Sequence, residues 1–248
     1  LDPRVSVVPR EEIYPPGQSV QQVERKNTQD FADSQDSARV AALAQLGYTD
    51  VVVSSVGADS PSHGKLAPQD VIDDVAGTRV VNFQQLTTVL TRLSPGAPVA
   101  VDYSRAGRLG RALVTTTKAT DRAGAALGIG VTLHSTAPFT VKIGVDESIG
   151  GPSAGLMFAL GILEKIGPVD LTGGRFIAGT GTIDVTGVVG PIGGIQLKMI
   201  GAHDRGATVF LVPADNCADA LQRPPAGLQL IKISSLSDAV SALTALQA

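Results

Sequence analysis

From about residue 119 onward, short apolar stretches alternate with longer apolar runs of helical spacing, and glycines separate them. This pattern is typical of a domain in which helices pack on a sheet. Upstream, residues 48–118 follow a different order of strand, loop, strand, helix and hairpin, which predicts a small β-rich module with one helix. We therefore predict a chain of the α/β (α+β) class with two folded units.

The predicted boundaries divide the chain into three ranges. Residues 48–118 form the β-rich module, residues 119–248 form the second domain, and residues 1–47 are expected to pack on that second domain. A length of 248 residues agrees with one to two domains. The N-terminal range predicts a short strand at residues 4–8, a turn at 14–17, one helix that begins after Ser19, and a second helical run after Ser37 that ends at Gly47.

In the second domain, the apolar patterns predict a strand at Val141–Val145 that leads into a helix at Ser153–Ile166. A second helix is predicted at Ile195–Arg205, with Gly206 at its end. Further strands and a closing helix are predicted at residues 176–183, 207–212, 228–233 and 237–246.

The composition excludes several functional classes. With 20 basic and 23 acidic residues, the chain has no basic excess for nucleic-acid binding. The single cysteine, Cys217, excludes an intramolecular disulfide and is expected to be a small buried residue. The acidic group Asp70, Asp73 and Asp74 lacks a second cluster of ligands, so we predict a solvated strand edge and no metal or cofactor. No run of 18 apolar residues is present to span a membrane.

The most informative stretch surrounds Ser153, in the order Ile-Gly-Gly-Pro-Ser-Ala-Gly. A serine at the start of an apolar helix presents its hydroxyl beside free backbone N–H groups that can stabilise an oxyanion. Flanking glycines allow a substrate backbone to approach closely. Serine is also a common helix N-cap, so this stretch alone favours the structural interpretation.

A serine nucleophile needs a base. None of the three histidines, His63, His134 and His203, stands in a convincing triad pattern. Lys198 is the alternative, because a lysine acts as a base when burial favours its neutral form, and Lys198 lies among apolar neighbours. Taken alone, a lysine in this position more often extends to solvent.

The motifs in combination resemble the proteolytic domain of Lon proteases. The resemblance covers roughly residues 119–248 and rests on several motifs in the right order. They are Gly-Gly-Pro-Ser153-Ala-Gly, then Gly-Thr180-Gly-Thr-Ile, then Gly-Val-Val-Gly-Pro-Ile-Gly-Gly-Ile-x-x-Lys198, then Phe-Leu-Val-Pro-x-x-Asn216.

The resemblance implies a serine endopeptidase with a Ser-Lys dyad. Ser153 corresponds to the nucleophile, Lys198 to its general base, and Thr180 to the residue that orients the lysine amine. Backbone groups of Gly151, Pro152, Ser153 and Ala154 would form the oxyanion hole and the substrate contact. Full Lon proteases carry an ATPase with G-x-x-x-x-G-K-S/T, which these residues lack, so the substrates are expected to be unfolded or peptide-like segments.

Residues 48–118 resemble a PDZ domain of bacterial proteases, through Gly64-Lys-Leu-x-x-x-Asp70-Val-Ile-x-x-Val-x-Gly77 and a later Arg-x-Gly hairpin. PDZ domains bind extended peptides by strand addition, and the predicted helix at 83–93 would line the groove. This combination resembles a bacterial family of ATPase-free Lon-like proteases anchored to the membrane by an N-terminal segment, with the rest outside the cytoplasm. The family implies a homo-oligomer, for example a hexameric ring. The alternative is a PDZ-based peptide-binding adaptor with a latent protease domain.

Overall fold

The computed structural model describes residues 17–145 and 150–247. The strand predicted at residues 4–8 and most of the turn at 14–17 lie outside these residues. Within them the chain contains both helices and strands, which agrees with the predicted α/β (α+β) class. It divides into two compact units: a β-rich unit, Leu43–Thr140, and an α/β unit that combines Leu1–Ala42 with Val141–Ala248.

The first helix, α1, runs without interruption over Val20–Gln45. The prediction of two separate helices in this range is therefore wrong. No glycine or proline interrupts residues 20–45, and the polar stretch around Ser34 and Ser37 is tolerated because helical spacing of buried residues continues on either side. Ser19 caps the helix as predicted: its hydroxyl accepts the N–H of Gln22, and its own N–H donates to the Gln22 side chain.

The β-rich unit contains one antiparallel sheet. Its strand order is β5-β4-β2-β1-β8, with β3 paired to β2. The strands are β1 (Thr49–Val56), β2 (Val71–Val75), β3 (Thr78–Arg79), β4 (Pro98–Arg105), β5 (Arg108–Thr115) and β8 (Ile129–Ser135). Helix α2 covers Phe83–Thr91 and is capped by Asn82, whose side chain accepts the N–H of Gln85. A short separate ladder joins β6 (Thr117–Lys118) to β7 (Ala125–Ala126).

Strand β8 extends this unit beyond the predicted range of 48–118. It pairs with β1 in antiparallel register, for example Val51 with Leu133, and its residues fall in the range that we had given to the second domain. The apolar alternation of β8 shows that it is a strand but does not show its partner, because partners distant in sequence are set by tertiary packing.

An ion pair between the buried Asp70 carboxylate and the half-exposed Arg105 holds the first loop of the β-rich unit. Asp70 is completely buried, and its carboxylate receives two hydrogen bonds from Arg105, at 2.6 and 2.8 Å, and one from the N–H of Ala67. The prediction that Asp70 belongs to a solvated strand edge is therefore wrong. Burial raises the pKa of the Asp70 carboxyl, but the Arg105 guanidinium and the Ala67 N–H more than offset it, and the pKa lies below its usual value.

We expect Arg105→Gln to destabilise the β-rich unit by about 2–3 kcal/mol, because it leaves a buried carboxylate without its charged partner. Arg111→Gln is the matched control: Arg111 pairs with Asp102 in an exposed bridge, and its loss should change the free energy of unfolding by less than about 1 kcal/mol. Urea unfolding of both variants measures the difference. Since the pKa of Asp70 is lowered in the folded state, its contribution is present above the unfolded pKa and is lost as pH falls through the folded pKa. Equal unfolding midpoints for the two variants would contradict this account.

The α/β unit is built around a short parallel sheet of order β13-β12-β9. Its central strand, β12 (Val209–Pro213), is buried along its whole length between β9 (Ile177–Gly179) and β13 (Gln229–Ile233). The hairpin of β10 (Thr182–Ile183) and β11 (Val189–Gly190) adds a second small sheet. The other helices of the unit are α3 (Gly155–Ile166), α4 (Ile195–Asp204), α5 (Cys217–Ala220) and α6 (Leu236–Ala245).

Two sequence predictions in the α/β unit need correction. Residues 141–145 do not form a strand, since no described strand pairs with them and their apolar alternation has no partner ladder. Helix α3 begins at Gly155, two residues after the predicted start, so Ser153 lies in the turn that precedes it. Across the described part of the chain, no helix has the length and apolar character needed to cross a membrane.

Candidate active site

Ser153 lies in a tight turn between Gly150 and the first residue of α3. Gly151 has a φ of +80°, a left-handed conformation that glycine adopts readily and other residues adopt at an energetic cost. The Ser153 side chain is half-buried. The Gly-Gly-Pro-Ser sequence therefore produces a sharp turn that presents the serine at the N-terminal end of an apolar helix.

Lys198 is brought to Ser153 by helix α4. Its Nζ lies 3.2 Å from Ser153 Oγ, within hydrogen-bond distance. Helix α4 follows Gly194, which adopts a φ of +68°, and it is anchored by Ile195 and Met199, which are buried in a core cluster with β12. The Lys198 side chain is exposed, which agrees with the tendency of a lysine in this position to extend to solvent. Of its two neighbours along the helix, Met199 is buried and Leu197 is exposed.

Thr180 is buried, with 3% of its surface exposed, directly after β9. Its hydroxyl donates a 2.9 Å hydrogen bond to the carbonyl oxygen of Ser153, which also accepts the N–H of Gly181 at 2.9 Å. Thr180 is thus adjacent to the nucleophile, but its hydroxyl hydrogen is used on the serine backbone. Its role toward the Lys198 amine stays a prediction, for which only the oxygen lone pairs remain.

The hydrogen bonds of the catalytic loop reduce the number of residues that could donate an N–H to the oxyanion. Gly151 donates its N–H to the carbonyl of Asn27 at 2.9 Å, and Pro152 has no N–H to give. The N–H groups of Ser153 and Ala154 have no acceptor among the described residues, and they lie at the start of α3, where the helix dipole favours negative charge. Ser153 and Ala154 are the remaining candidates.

Asn216 belongs to the last of the Lon-like motifs, and the sequence pattern assigns no role to its side chain. Its buried side chain accepts the N–H of Ile192 and donates to the carbonyl of the same residue, both at 2.9 Å. This pair of bonds replaces a backbone ladder and fixes the turn that leads into α4. A buried side-chain amide that bonds both the N–H and the carbonyl of one distant residue cannot be recognised from the local sequence.

We expect Asn216→Ala to lower the free energy of unfolding by about 2 kcal/mol, since it leaves the partly buried N–H and carbonyl of Ile192 without their described partner. We also expect slower peptide hydrolysis, because the Ile192 turn sets the start of the helix that carries Lys198. Denaturant unfolding and steady-state kinetics measure the two effects. Asn216→Ala with the stability and rate of the wild type would contradict the positioning role.

None of the other candidate residues is a described hydrogen-bond partner of Ser153. His63 and His134 belong to the β-rich unit, and His203 is exposed near the end of α4, so none of the three is a described partner of Ser153. Cys217 is half-buried against the α4 cluster, and its thiol faces the carbonyl of Pro213 at 3.7 Å. In the described ranges, no group of three or more metal-ligating side chains was found.

Comparison with protein families assigns this chain to a known class. Residues 121–246, just over half of the chain, match the Lon protease (S16) C-terminal proteolytic domain. The chain therefore belongs to that family, and a serine peptidase of the Lon type is the class that this domain defines. The prediction of a Lon-like protease is confirmed at this level.

Individual relatives agree with the family match. Lon protease 1 of Sorangium cellulosum is 36% identical over 94 residues, which cover 37% of this chain and 11% of that protein. Lon protease 1 of Bacillus subtilis is 35% identical over 121 residues, which cover 45% of this chain and 15% of that protein. The chain thus spans about a seventh or less of these relatives.

Two of the solved structures that resemble the chain are PDZ domains of SdrC-like proteins. The PDZ domain of an SdrC-like protein from Listeria monocytogenes is 22% identical, with a TM-score of 0.31, and the similarity covers 33% of this chain and 85% of that domain. The corresponding domain from Listeria innocua is 23% identical, with a TM-score of 0.32, and the similarity covers 36% of this chain and 99% of that domain.

Proposed function

We propose that this protein is an ATP-independent serine endopeptidase that uses Ser153 and Lys198 as a catalytic dyad. The observation that carries the proposal is the 3.2 Å separation between Lys198 Nζ and Ser153 Oγ in a domain of the Lon proteolytic family. A nucleophile and a base within hydrogen-bond distance are the minimal requirement for covalent acyl transfer. ATP independence is part of the proposal because the combination of a PDZ-like module with a Lon-like domain resembles the ATPase-free Lon-like proteases.

In this mechanism the neutral Lys198 amine takes the proton of Ser153 Oγ as the oxygen attacks the substrate carbonyl. The resulting oxyanion is stabilised by the N–H groups of Ser153 and Ala154 at the start of α3. The tetrahedral intermediate expels the amine half of the peptide, which receives the proton from the Lys198 ammonium. Water, deprotonated by the neutral lysine, then hydrolyses the acyl-enzyme and regenerates the serine.

The Lys198 amine is exposed, so a peptide bound over Ser153 would displace water from it. We therefore propose that substrate binding completes the environment of the base.

Thr180 supports the nucleophile in this proposal, and its hydroxyl can be tested with an isosteric pair of variants. Thr180→Val removes the hydroxyl but keeps the shape, and we expect kcat to fall by about tenfold or more as the bond to the Ser153 carbonyl is lost. Thr180→Ser keeps the hydroxyl and should retain most of the activity. Steady-state hydrolysis of a fluorogenic peptide measures both; equal activity of the valine and serine variants would exclude a role for the hydroxyl.

The β-rich unit is proposed to bind extended peptides in the manner of a PDZ domain. Strand β8 ends the sheet, so one of its edges is unpaired within the described sheet. Gly124, just before β7, packs so closely on the end of α2 that an added Cβ would lie 2.5 Å from Thr91 Cα. This contact places β7 against the end of α2. The groove between this helix and a strand edge is proposed from the resemblance to PDZ domains.

The remaining parts of the proposal follow from the family resemblance. They are cleavage of unfolded or peptide-like segments, recruitment or regulation by the PDZ-like module, assembly into a homo-oligomer such as a hexameric ring, and attachment to the membrane with the protease outside the cytoplasm. Sedimentation of the purified chain tests the assembly, and fractionation of the source cells tests the attachment.

The direct test of function is proteolysis of one protein in folded and unfolded forms, with and without ATP, by the wild type and by Ser153→Ala. We expect cleavage of the unfolded form by the wild type alone, with no change on addition of ATP. Peptide binding without any cleavage would instead favour the second candidate, an adaptor with a latent protease domain. A peptide with a free C-terminus and its amidated copy distinguish PDZ-type binding in either case.

A further inference from the structure

Helix α1 holds the loop that precedes the nucleophile, although it lies outside the residues that match the Lon family. The Ser34 hydroxyl donates a 3.1 Å hydrogen bond to the carbonyl oxygen of Pro152, and the backbone carbonyl of Asn27 accepts the N–H of Gly151. Two consecutive residues before Ser153 are therefore bonded to the same helix.

The packing around Ser34 is close and leaves this contact little freedom. Ser34 has 4% of its surface exposed, and a Cβ added at Gly155 would lie only 2.7 Å from Ser34 Oγ. Nearby, Phe31 of α1 meets Phe158 of α3 edge to face, with ring centroids 5.7 Å apart. The first turn of α3 and the middle of α1 are thus fixed against each other at the catalytic loop.

The carbonyl of Pro152 and the N–H of Ser153 belong to one peptide group. Because a peptide group is planar, fixing the direction of its carbonyl also fixes the direction of its N–H. A hydrogen bond to the carbonyl also polarises the group and strengthens the N–H as a donor. The next peptide group is held in the same way, since Thr180 and Gly181 both donate to the carbonyl of Ser153, whose partner N–H belongs to Ala154.

From this geometry we infer that Ser34 is a positioning residue that orients the backbone N–H of Ser153 toward the oxyanion of the transition state. The inference rests on the proposed function of Ser153. It assigns to helix α1 a part in catalysis, whereas the rest of the proposed site comes from residues 151–198.

The test compares Ser34→Ala with Ser37→Ala. Ser37 lies on the same helix, one turn later, and its side chain makes no hydrogen bond to any described residue. We expect Ser34→Ala to lower kcat by about five- to twentyfold, because misdirecting an oxyanion donor costs part of the rate that deleting it would cost. KM should change by less than about twofold. Ser37→Ala should match the wild type in both constants.

A peptide boronic acid supplies a readout that a merely structural role would not move. It forms a tetrahedral adduct with the active serine. Its inhibition constant should therefore rise in Ser34→Ala by the same factor by which kcat/KM falls, whereas KM should stay nearly constant. Ser34→Cys keeps the size and a weak donor, and it should lie between the wild type and the alanine variant in both quantities.

The outcomes separate the two levels of the proposal. If the wild type neither cleaves peptides nor binds the boronate, the proposed function fails. If the wild type is active and Ser34→Ala equals it in kcat and in boronate affinity, the positioning role of Ser34 alone is overturned. Should Ser34→Ala fail to fold, Ser34→Cys decides, because a folded cysteine variant with unchanged kcat also overturns the role.

Discussion

Replacing Ser153 with alanine should reduce peptide hydrolysis by about ten-thousandfold or more, because the variant has no oxygen with which to form the acyl-enzyme. Fold stability should change little, since the side chain is half-buried and its hydroxyl has one described partner, Lys198. The measurement is single-turnover cleavage of a fluorogenic peptide together with thermal unfolding. Cleavage by Ser153→Ala at a rate near that of the wild type would contradict Ser153 as the nucleophile.

Replacing Lys198 should have an effect of similar size, and the choice of substitute distinguishes a base from a fixed charge. Both Lys198→Ala and Lys198→Arg should lose about a thousandfold or more in kcat, because alanine has no amine and a guanidinium stays protonated. If Lys198 acted only through its positive charge, the arginine variant would keep much of the activity. Lys165→Ala, at an exposed lysine near the end of α3, is the matched control and should behave as the wild type.

The catalytic pair could be identified from the sequence because each residue sits in a motif with several glycines at fixed spacing. The structure brings Ser153 and Lys198 to hydrogen-bond distance, as the motifs led us to expect. The exposure of Lys198 agrees with the tendency of a lysine on a helix to extend to solvent, because apolar neighbours along a helix do not determine which of its faces is covered.

The residues that support the site were harder to find. Ser34 and Asn216 act through hydrogen bonds to backbone groups more than twenty positions away, and neither bond leaves a local pattern. We predicted a second helical run after Ser37, whereas in the structure one helix continues through this region and its Ser34 is the point where α1 holds the catalytic loop.

In the β-rich unit the order of strands and helix was predictable from alternation and turn residues. Its C-terminal extent was not, because β8 joins the sheet only through its ladder with β1. The pairing of the buried Asp70 carboxylate with Arg105 was hidden for a similar reason: three acidic residues at and just before one strand resemble a solvated edge until the partner from β4 is known.

The central claim is that Ser153 is a nucleophile activated by Lys198, and covalent labelling tests it most directly. The wild type, Ser153→Ala and Lys198→Ala should each be treated with a fluorophosphonate and the modified peptide identified by mass spectrometry. We predict one adduct on Ser153 in the wild type, none in Ser153→Ala, and labelling slowed by about a hundredfold or more in Lys198→Ala. An adduct on another residue, or labelling of Lys198→Ala at the rate of the wild type, would contradict the account.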